Sequence, residues 1–507
     1  MDANFDAIVI GAGEAGTVVA GLALDAGKRV ALIYKRPYGS TCINTGCVPS
    51  KFLIHRARIA HLCRTAARYH VRTWDTSVDL KAIIGEKRAL VEDHREEAFG
   101  HAREAEGLIL FEGSARFTGP RTVAIGDRML TAEAIFVATG LRPRMPDLPG
   151  LDPQLVLTNE TIMELQEVPE HLIVVGGGYV GCELAQAFRR FGADVTILHR
   201  KDRLLAREDP AVSEVIAGAF AAEGITVRLG HDLVSVRHGH GNVSAVAADA
   251  GGRELAVTGS HLLAAAGRIP NTEMLNLAAA GVRTDEAGYV VVDDFLETTA
   301  RGIWAIGDVN GKQPFTRICQ EEGKIAFGNA FQGAGRRVDR APLGHAIFTD
   351  PQVGSVGLTE PEAREAGHDV VTGTVEFSQV SMARLIGETA GVIKFVAERR
   401  TRRILGCHIV GPDAANLIYD AIVVMRRRGT IDDLATAVGI FPTLQEGVEG
   451  TARALLRNIA PEKIGERRWA MEPKTTSLSC PQCNMEFKTK EELDKHNKEA
   501  HAEKKSA

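Results

Sequence analysis

A chain of 507 residues, 45% of them apolar, is too long for one ordinary core, and its net charge of -5 argues against a large polyanion as principal partner. No apolar run is long enough to cross a bilayer, and Phe5 to Ile10 is too short for a secretory signal, so a cytoplasmic protein is expected. Eight cysteines in so long a chain do not make a disulfide scaffold.

Phe5 to Ile10 reads as a buried parallel strand, after which Gly11-Ala12-Gly13-Glu14-Ala15-Gly16 opens a helix through Leu24. Gly11, Gly13 and Gly16 permit a tight turn and close backbone approach, so that a pyrophosphate can sit on the helix N-terminus. The next strand, Val30 to Ile33, runs into Tyr34, where an acidic residue would normally bond an adenosine ribose. The stretch from Thr41 to Lys51 then holds Cys42 and Cys47, which read as a redox pair. A thiolate is the reacting form of cysteine, and a helix N-terminus with Lys51 nearby supplies the positive potential that lowers a thiol pKa. A structural disulfide or half of a metal site is the competing reading, and the flanking motifs weigh against it.

From Lys51 to about Gly107 the pattern is helical; His55, His61, His70, His94 and His101 form no tight cluster, and Cys63 reads as a packing thiol. Alternating segments from Leu108 to Leu130 predict a small antiparallel ribbon. Ala134 to Gly140 is a further strand, and Pro143, Pro146 and Pro149 mark a linker. A second fingerprint follows: strand Leu172 to Val175, turn Gly176-Gly177-Gly178-Tyr179-Val180-Gly181, helix Cys182 to Phe191. Two dinucleotide folds imply two dinucleotides. The strand Val195 to Leu198 ends in His199-Arg200-Lys201 without a carboxylate; Arg200 can hold a 2′-phosphate, which predicts NADPH in preference to NADH, with NADH still usable.

Cys42-x4-Cys47 followed by Pro49-Ser50-Lys51, between these two fingerprints, resembles the active-site segment of the FAD-dependent pyridine nucleotide-disulfide oxidoreductases, the family of dihydrolipoamide dehydrogenase, glutathione reductase and mercuric reductase. The resemblance covers about residues 4 to 460. It implies that Cys47 faces the flavin and Cys42 exchanges with substrate, with Thr41, Thr139 and Gly140 also beside FAD. It further implies that Glu183 pairs with Lys51, that Tyr179 gates the nicotinamide pocket, and that Gly267 and Arg268 close the nicotinamide domain. Gly307-Asp308 would return the chain to the flavin, Asp308 accepting from ribityl hydroxyls, and Phe315 to Phe327 would lay a helix against the isoalloxazine with Cys319 as a packing thiol. His345 to Thr359 begins what resembles the family's interface domain, in wording closest to mercuric reductase, so a homodimer is expected. Gly39-Ser40-Thr41 departs from the family's paired glycines.

The informative departure lies further on. Disulfide reductases of the family carry His-Pro-Thr-x-x-Glu, contributed by the partner subunit, whose histidine shuttles a proton and whose glutamate orients it. This chain reads Phe441-Pro442-Thr443-Leu444-Gln445-Glu446. Phenylalanine carries no proton, and general acid-base help worth ~10²- to 10⁴-fold is lost for a disulfide substrate. Mercuric reductase likewise has a non-histidine residue there. A soft metal held by two thiolates needs electrons more than a proton.

After Arg468 the composition turns to Lys, Glu, Thr and Ser, and then comes Cys480-x2-Cys483-x3-Phe487-x5-Leu493-x2-His496-x4-His501. The four ligands and two apolar positions match a C2H2 zinc finger holding Zn2+. Glu492 on the base-facing side and the even Lys/Glu balance argue against nucleic acid and for a protein partner.

The expected architecture is α/β: two Rossmann-like dinucleotide-binding domains, an α+β dimerisation domain and a small ββα zinc finger. Its divisions are FAD-binding 1–155 and 273–340, NAD(P)-binding 156–272, dimerisation 341–465, linker 466–477 and finger 478–503. The expected activity passes electrons from NADPH through FAD and the Cys42/Cys47 disulfide to a soft metal ion or related small acceptor, with Cys42, Cys47, Lys51, Glu183 and Glu446 as catalytic residues. The alternatives are a dihydrolipoamide dehydrogenase or disulfide reductase type of enzyme, and a redox-sensing zinc-finger regulatory protein.

Overall fold

The computed structural model describes residues 3–239, 241–339, 342–459, 478–479, 485–487 and 490–500. It divides into two units, Met1–Ile459 and Ala460–Ala507. Among the described residues no helix is long and apolar enough to cross a membrane.

In the larger unit, strand Ala3–Ile10 lies inside a seven-stranded sheet, paired in parallel with Val30–Tyr34 on one side and Arg128–Val137 on the other. Every residue of Val30–Tyr34 is buried. A parallel strand covered on both faces reads as a continuous apolar run, which is what Val-Ala-Leu-Ile-Tyr provides. Ile303–Ala305 joins Arg128–Val137 in parallel, bringing Gly307 and Asp308 back beside the first fingerprint.

The ribbon expected from Leu108 to Leu130 is divided. Leu108–Glu112 pairs in parallel with Val30–Tyr34 and belongs to the main sheet, whereas Ala115–Gly119, Thr122–Ile125 and Arg128–Val137 form the antiparallel part. An edge strand with one face toward solvent alternates like a hairpin strand, so the pattern alone does not separate the two.

The second dinucleotide sheet has four parallel strands in the order Thr226–Leu229, Asp194–His199, His171–Val175, His261–Ala264. Beside it in sequence is an antiparallel three-stranded sheet, Asp232–Gly239, Asn242–Ala248 and Glu254–Gly259. Leu141–Pro143, leaving the first sheet, pairs with Arg268–Pro270, leaving the second. Both chain crossings between the two sheets are therefore tied together. The remaining sheet is antiparallel, in the order His345–Ile347, Gln352–Gly357, Ile404–Gly411, Val392–Glu398, Val370–Glu376, and packs helices Ala414–Arg426 and Glu446–Ile459. Before the last helix, Val438, Ile440 and Phe441 stand 99%, 77% and 73% exposed, an apolar row turned to solvent.

In the smaller unit, Leu478–Ser479 pairs antiparallel with Glu486–Phe487, and helix Lys490–Ala500 follows. The order is ββα. Of the expected zinc ligands, His496 lies on that helix, whereas Cys480, Cys483 and His501 lie outside the described residues.

Candidate redox site

The cysteine pair is built by two helices meeting at a glycine. Thr41–Asn44 is a single helical turn carrying Cys42, N-capped by Ser40, whose Oγ accepts from the Ile43 amide at 3.2 Å. Cys47 is the first residue of the long helix Cys47–Thr65. Between them, a Cβ on Gly46 would stand 2.7 Å from the Thr41 carbonyl oxygen and 3.1 Å from Cys42 Cα, so only glycine lets the two turns close.

The two thiols act on each other and are not equivalent. The hydrogen bond from Cys42 brings the Cys47 thiol down to about 6, helped by Thr316 and Lys51 and opposed by burial. Its position at a helix N-terminus acts in the same direction. The same contact, with burial next, pushes Cys42 up, and the Glu14 carboxylate adds to this. The reduced pair thus holds its negative charge on Cys47. Thr316, the first residue of helix Thr316–Phe331, places Oγ1 3.8 Å from Cys47 Sγ.

Lys51 is one turn into the Cys47 helix. Its Nζ lies 2.8 Å from Glu183 Oε2 and 4.7 Å from the centre of the Phe348 ring. Glu183, only 5% exposed, accepts the Phe348 backbone N–H through its other oxygen at 2.8 Å. The pair joins the cysteine helix, the helix of the second fingerprint and the entry to the last sheet.

Both fingerprints repeat one local geometry. A Cβ on Gly11 (φ +117°) would meet the Ala138 oxygen at 2.2 Å, and one on Gly176 (φ +122°) the Ala265 oxygen at 2.3 Å. Likewise Gly16 would strike the Gly11 oxygen at 2.1 Å and Gly181 the Gly176 oxygen at 2.0 Å. Gly13 and Gly178 instead N-cap helices Glu14–Asp25 and Tyr179–Phe191 with no side-chain cap, leaving helix-end N–H groups directed outward as a phosphate requires. A cleft of about 320 Å³ runs past Gly13, Tyr38, Ser40 and Ala98, and Thr139 Oγ1 nearby is buried without a protein partner among the described residues. Uncapped helix ends, backbone-tight glycines and an unsatisfied hydroxyl fit a bound dinucleotide.

Asp308 is held by Arg268, Nη1 to Oδ2 at 2.9 Å, and receives the Cys319 thiol at 3.2 Å. Burial, with Asp308 beside it, pushes the Cys319 thiol well above its ordinary value. Tyr179 is 40% exposed at the mouth of the second fingerprint, and Arg200 is exposed at its strand end. Glu446 starts helix Glu446–Ile459 and its Oε1 accepts the Thr443 N–H at 3.0 Å. Phe441 makes the neighbouring surface apolar. Among the described residues no group of three or more His, Cys, Asp or Glu side chains is placed to hold a metal ion.

Three residues at this site carry no sequence signal of their own: Thr316, Gln320 and Glu112. The Glu112 carboxylate lies at the strand end beside Tyr34, 3.4 Å from its hydroxyl and 2.8 Å from Arg36 Nε, and so brings an acid next to the place where the second strand lacks one. Only the register Tyr34↔Glu112 could have found it.

The family model for pyridine nucleotide-disulphide oxidoreductases matches residues 5–324, and that for the family's dimerisation domain matches residues 344–452. A mercuric reductase of Streptomyces lividans is 36% identical over 464 residues, spanning 90% of this chain and 97% of that protein. One from Lysinibacillus sphaericus is 34% identical, over 90% of this chain and 83% of that protein. A glutathione reductase of Burkholderia cepacia is 31% identical, over 87% and 97%. Among solved structures, the HOCl-induced flavoprotein disulfide reductase RclA of Escherichia coli superposes with a TM-score of 0.80 at 30% identity, over 88% of this chain and 99% of that one. Its Cu(II) complex matches equally well.

Proposed function

Because the chain belongs to the pyridine nucleotide-disulphide oxidoreductase family and is an FAD-dependent enzyme of it, we propose that it is a homodimeric NADPH oxidoreductase that reduces a soft metal ion through the Cys42/Cys47 pair. FAD, when bound, carries the electron pair between the nicotinamide and the disulfide. NADPH and the disulfide give NADP+, the Cys42 thiol and the Cys47 thiolate. A divalent soft cation such as Hg(II) then takes two electrons from the pair, or two Cu(II) ions take one each, the disulfide re-forms and one proton is released.

On this reading Gly13 and Gly178 present the N–H groups that hold the two pyrophosphates, and Asp308 with Arg268 orients the flavin chain. Arg200 receives the 2′-phosphate. Cys47 keeps the thiolate, stabilised by Thr316 and Lys51, while Cys42 meets the acceptor. The apolar row Val438, Ile440 and Phe441 is covered in the dimer, and the segment ending in Glu446 faces the dithiol of the second copy.

Phe441 is the observation that carries the acceptor class. With phenylalanine at position 441 in place of the proton-shuttling histidine, a departing organic thiolate lacks that proton donor, whereas a metal held between two thiolates needs none. Mercuric reductases stand among the similar proteins, and a Cu(II) complex of RclA adds copper as a second ion to try.

In the smaller unit, Cys480, Cys483, His496 and His501 would hold Zn2+; the ββα order supports this. The finger would serve as an interaction module or capture soft metal for the dithiol. Truncation after Met471 that leaves metal-dependent NADPH oxidation unchanged rules out delivery.

The test is a steady-state comparison of Hg(II) and Cu(II) with excess thiol, lipoamide, glutathione disulfide and quinones. A metal ion should be the fastest acceptor; a disulfide or quinone turned over faster would overturn the assignment.

A further inference from the structure

Glu14 is the only charged residue in the first fingerprint loop. It starts helix Glu14–Asp25, where a carboxylate is favoured by the helix dipole, but its side chain is engaged elsewhere. Oε1 accepts from Ser40 Oγ at 2.8 Å and Oε2 accepts from Gln320 Nε2 at 2.8 Å. Each donor belongs to a segment that carries or touches one of the two cysteines. Ser40 N-caps the turn bearing Cys42. Gln320 lies one turn beyond Thr316, the residue against Cys47.

We propose that Glu14 is a positioning residue of the dithiol: its carboxylate ties the Cys42 turn to the helix that faces Cys47 and sets a negative charge beside the Cys42 turn. This rests on the redox-pair reading. It also accounts for serine at position 40, where the family has the second of two glycines: glycine has no hydroxyl to share between the Ile43 amide and a carboxylate. The Ser40 hydroxyl does both, donating its proton to Glu14 while its oxygen accepts from Ile43. The charged groups acting on the pair are then opposed in sense, Lys51 toward Cys47 and Glu14 toward Cys42. Glu183 is already paired with Lys51.

The experiment uses flavin-loaded full-length protein, reduced anaerobically with NADPH and pulsed with iodoacetamide from about pH 5 to about pH 10, with alkylation of Cys42 and Cys47 read by peptide mass spectrometry. Glu14→Gln is expected to raise the Cys42 rate at neutral pH roughly 3- to 10-fold relative to that of Cys47. Ser40→Ala should shift the Cys42/Cys47 ratio in the same sense, and Ser40→Thr, which keeps the hydroxyl, should restore it. If Glu14→Gln fails to fold or to retain flavin, Gln320→Leu removes one arm of the tie outside the fingerprint and should shift the ratio by about twofold or more. Profiles in Glu14→Gln and Gln320→Leu that overlay the unmodified protein overturn the proposal. If NADPH exposes no new thiols in the unmodified protein, the redox-pair reading itself fails; two new thiols with unchanged variant profiles remove only the role of Glu14.

Discussion

Lys51 Nζ and Glu183 Oε2 meet at 2.8 Å, although they lie on helices from different dinucleotide folds of one chain. The carboxylate is 5% exposed and the ammonium 33% exposed, so one charge is desolvated while the other keeps part of its water. Removing the lysine leaves a buried carboxylate with a single backbone N–H as donor.

Lys51→Met should therefore cost about 1–3 kcal/mol of stability, less than for a fully buried pair because Lys51 is partly solvated. It should also raise the pH at which Cys47 ionises, since one of the positive influences on that thiol is gone. Thermal unfolding of the reduced protein and the pH profile of Cys47 alkylation check the two parts separately.

The Cys47 thiol sits at about 6 against an ordinary 9.0, a lowered value. A lowered acid contributes stability that is complete above its unfolded value and disappears as pH falls through the folded one. The thiolate-dependent stability of the reduced protein should therefore be intact above about pH 9 and fade as the pH drops through about 6. Thermal midpoints of reduced protein and of Cys47→Ser, compared across this window, should converge below it.

Phe441→His should restore proton transfer to organic disulfides. NADPH oxidation with glutathione disulfide or lipoamide is expected to rise by roughly 10- to 100-fold, short of the full acid-base contribution because the surroundings remain apolar. Metal-dependent turnover should stay within about twofold, since no protonated leaving group is involved. Equal gains on both acceptor classes would contradict the role given to position 441.

Gly11→Ala and Gly176→Ala test the two fingerprints independently. Each forces a side chain into a positive φ and within 2.3 Å of a backbone oxygen, a strain of about 1–3 kcal/mol before the overlap is counted. Gly11→Ala should lose bound flavin, read as the flavin-to-protein absorbance ratio. Gly176→Ala should keep flavin and lose affinity for NADPH in a binding titration.

Arg200→Ala should weaken NADPH by roughly 10- to 100-fold in kcat/KM, the loss of one charge-assisted hydrogen bond, while leaving NADH nearly unchanged. Parallel losses for both nucleotides would move the 2′-phosphate contact away from this strand end.

The two fingerprints, the cysteine segment and the Phe441 departure could be read from the sequence because each is short and local. A glycine forced by backbone contact, or a strand covered on both faces, leaves a pattern within a few residues of itself. The sequence therefore determined the family, the pair of dinucleotide folds and the phenylalanine at position 441. Tertiary structure decided what depends on residues far apart in the chain: Thr316 against Cys47, Glu112 beside Tyr34, and the carboxylate of Glu14 between Ser40 and Gln320. It also decided that Leu108–Glu112 joins the parallel sheet, because an edge strand and a hairpin strand expose one face alike and differ only in the neighbour that accepts their hydrogen bonds. Side-chain type is written locally, but the potential at a thiol is the sum over charges and donors that folding brings within a few ångströms, and no spacing in the chain records that sum.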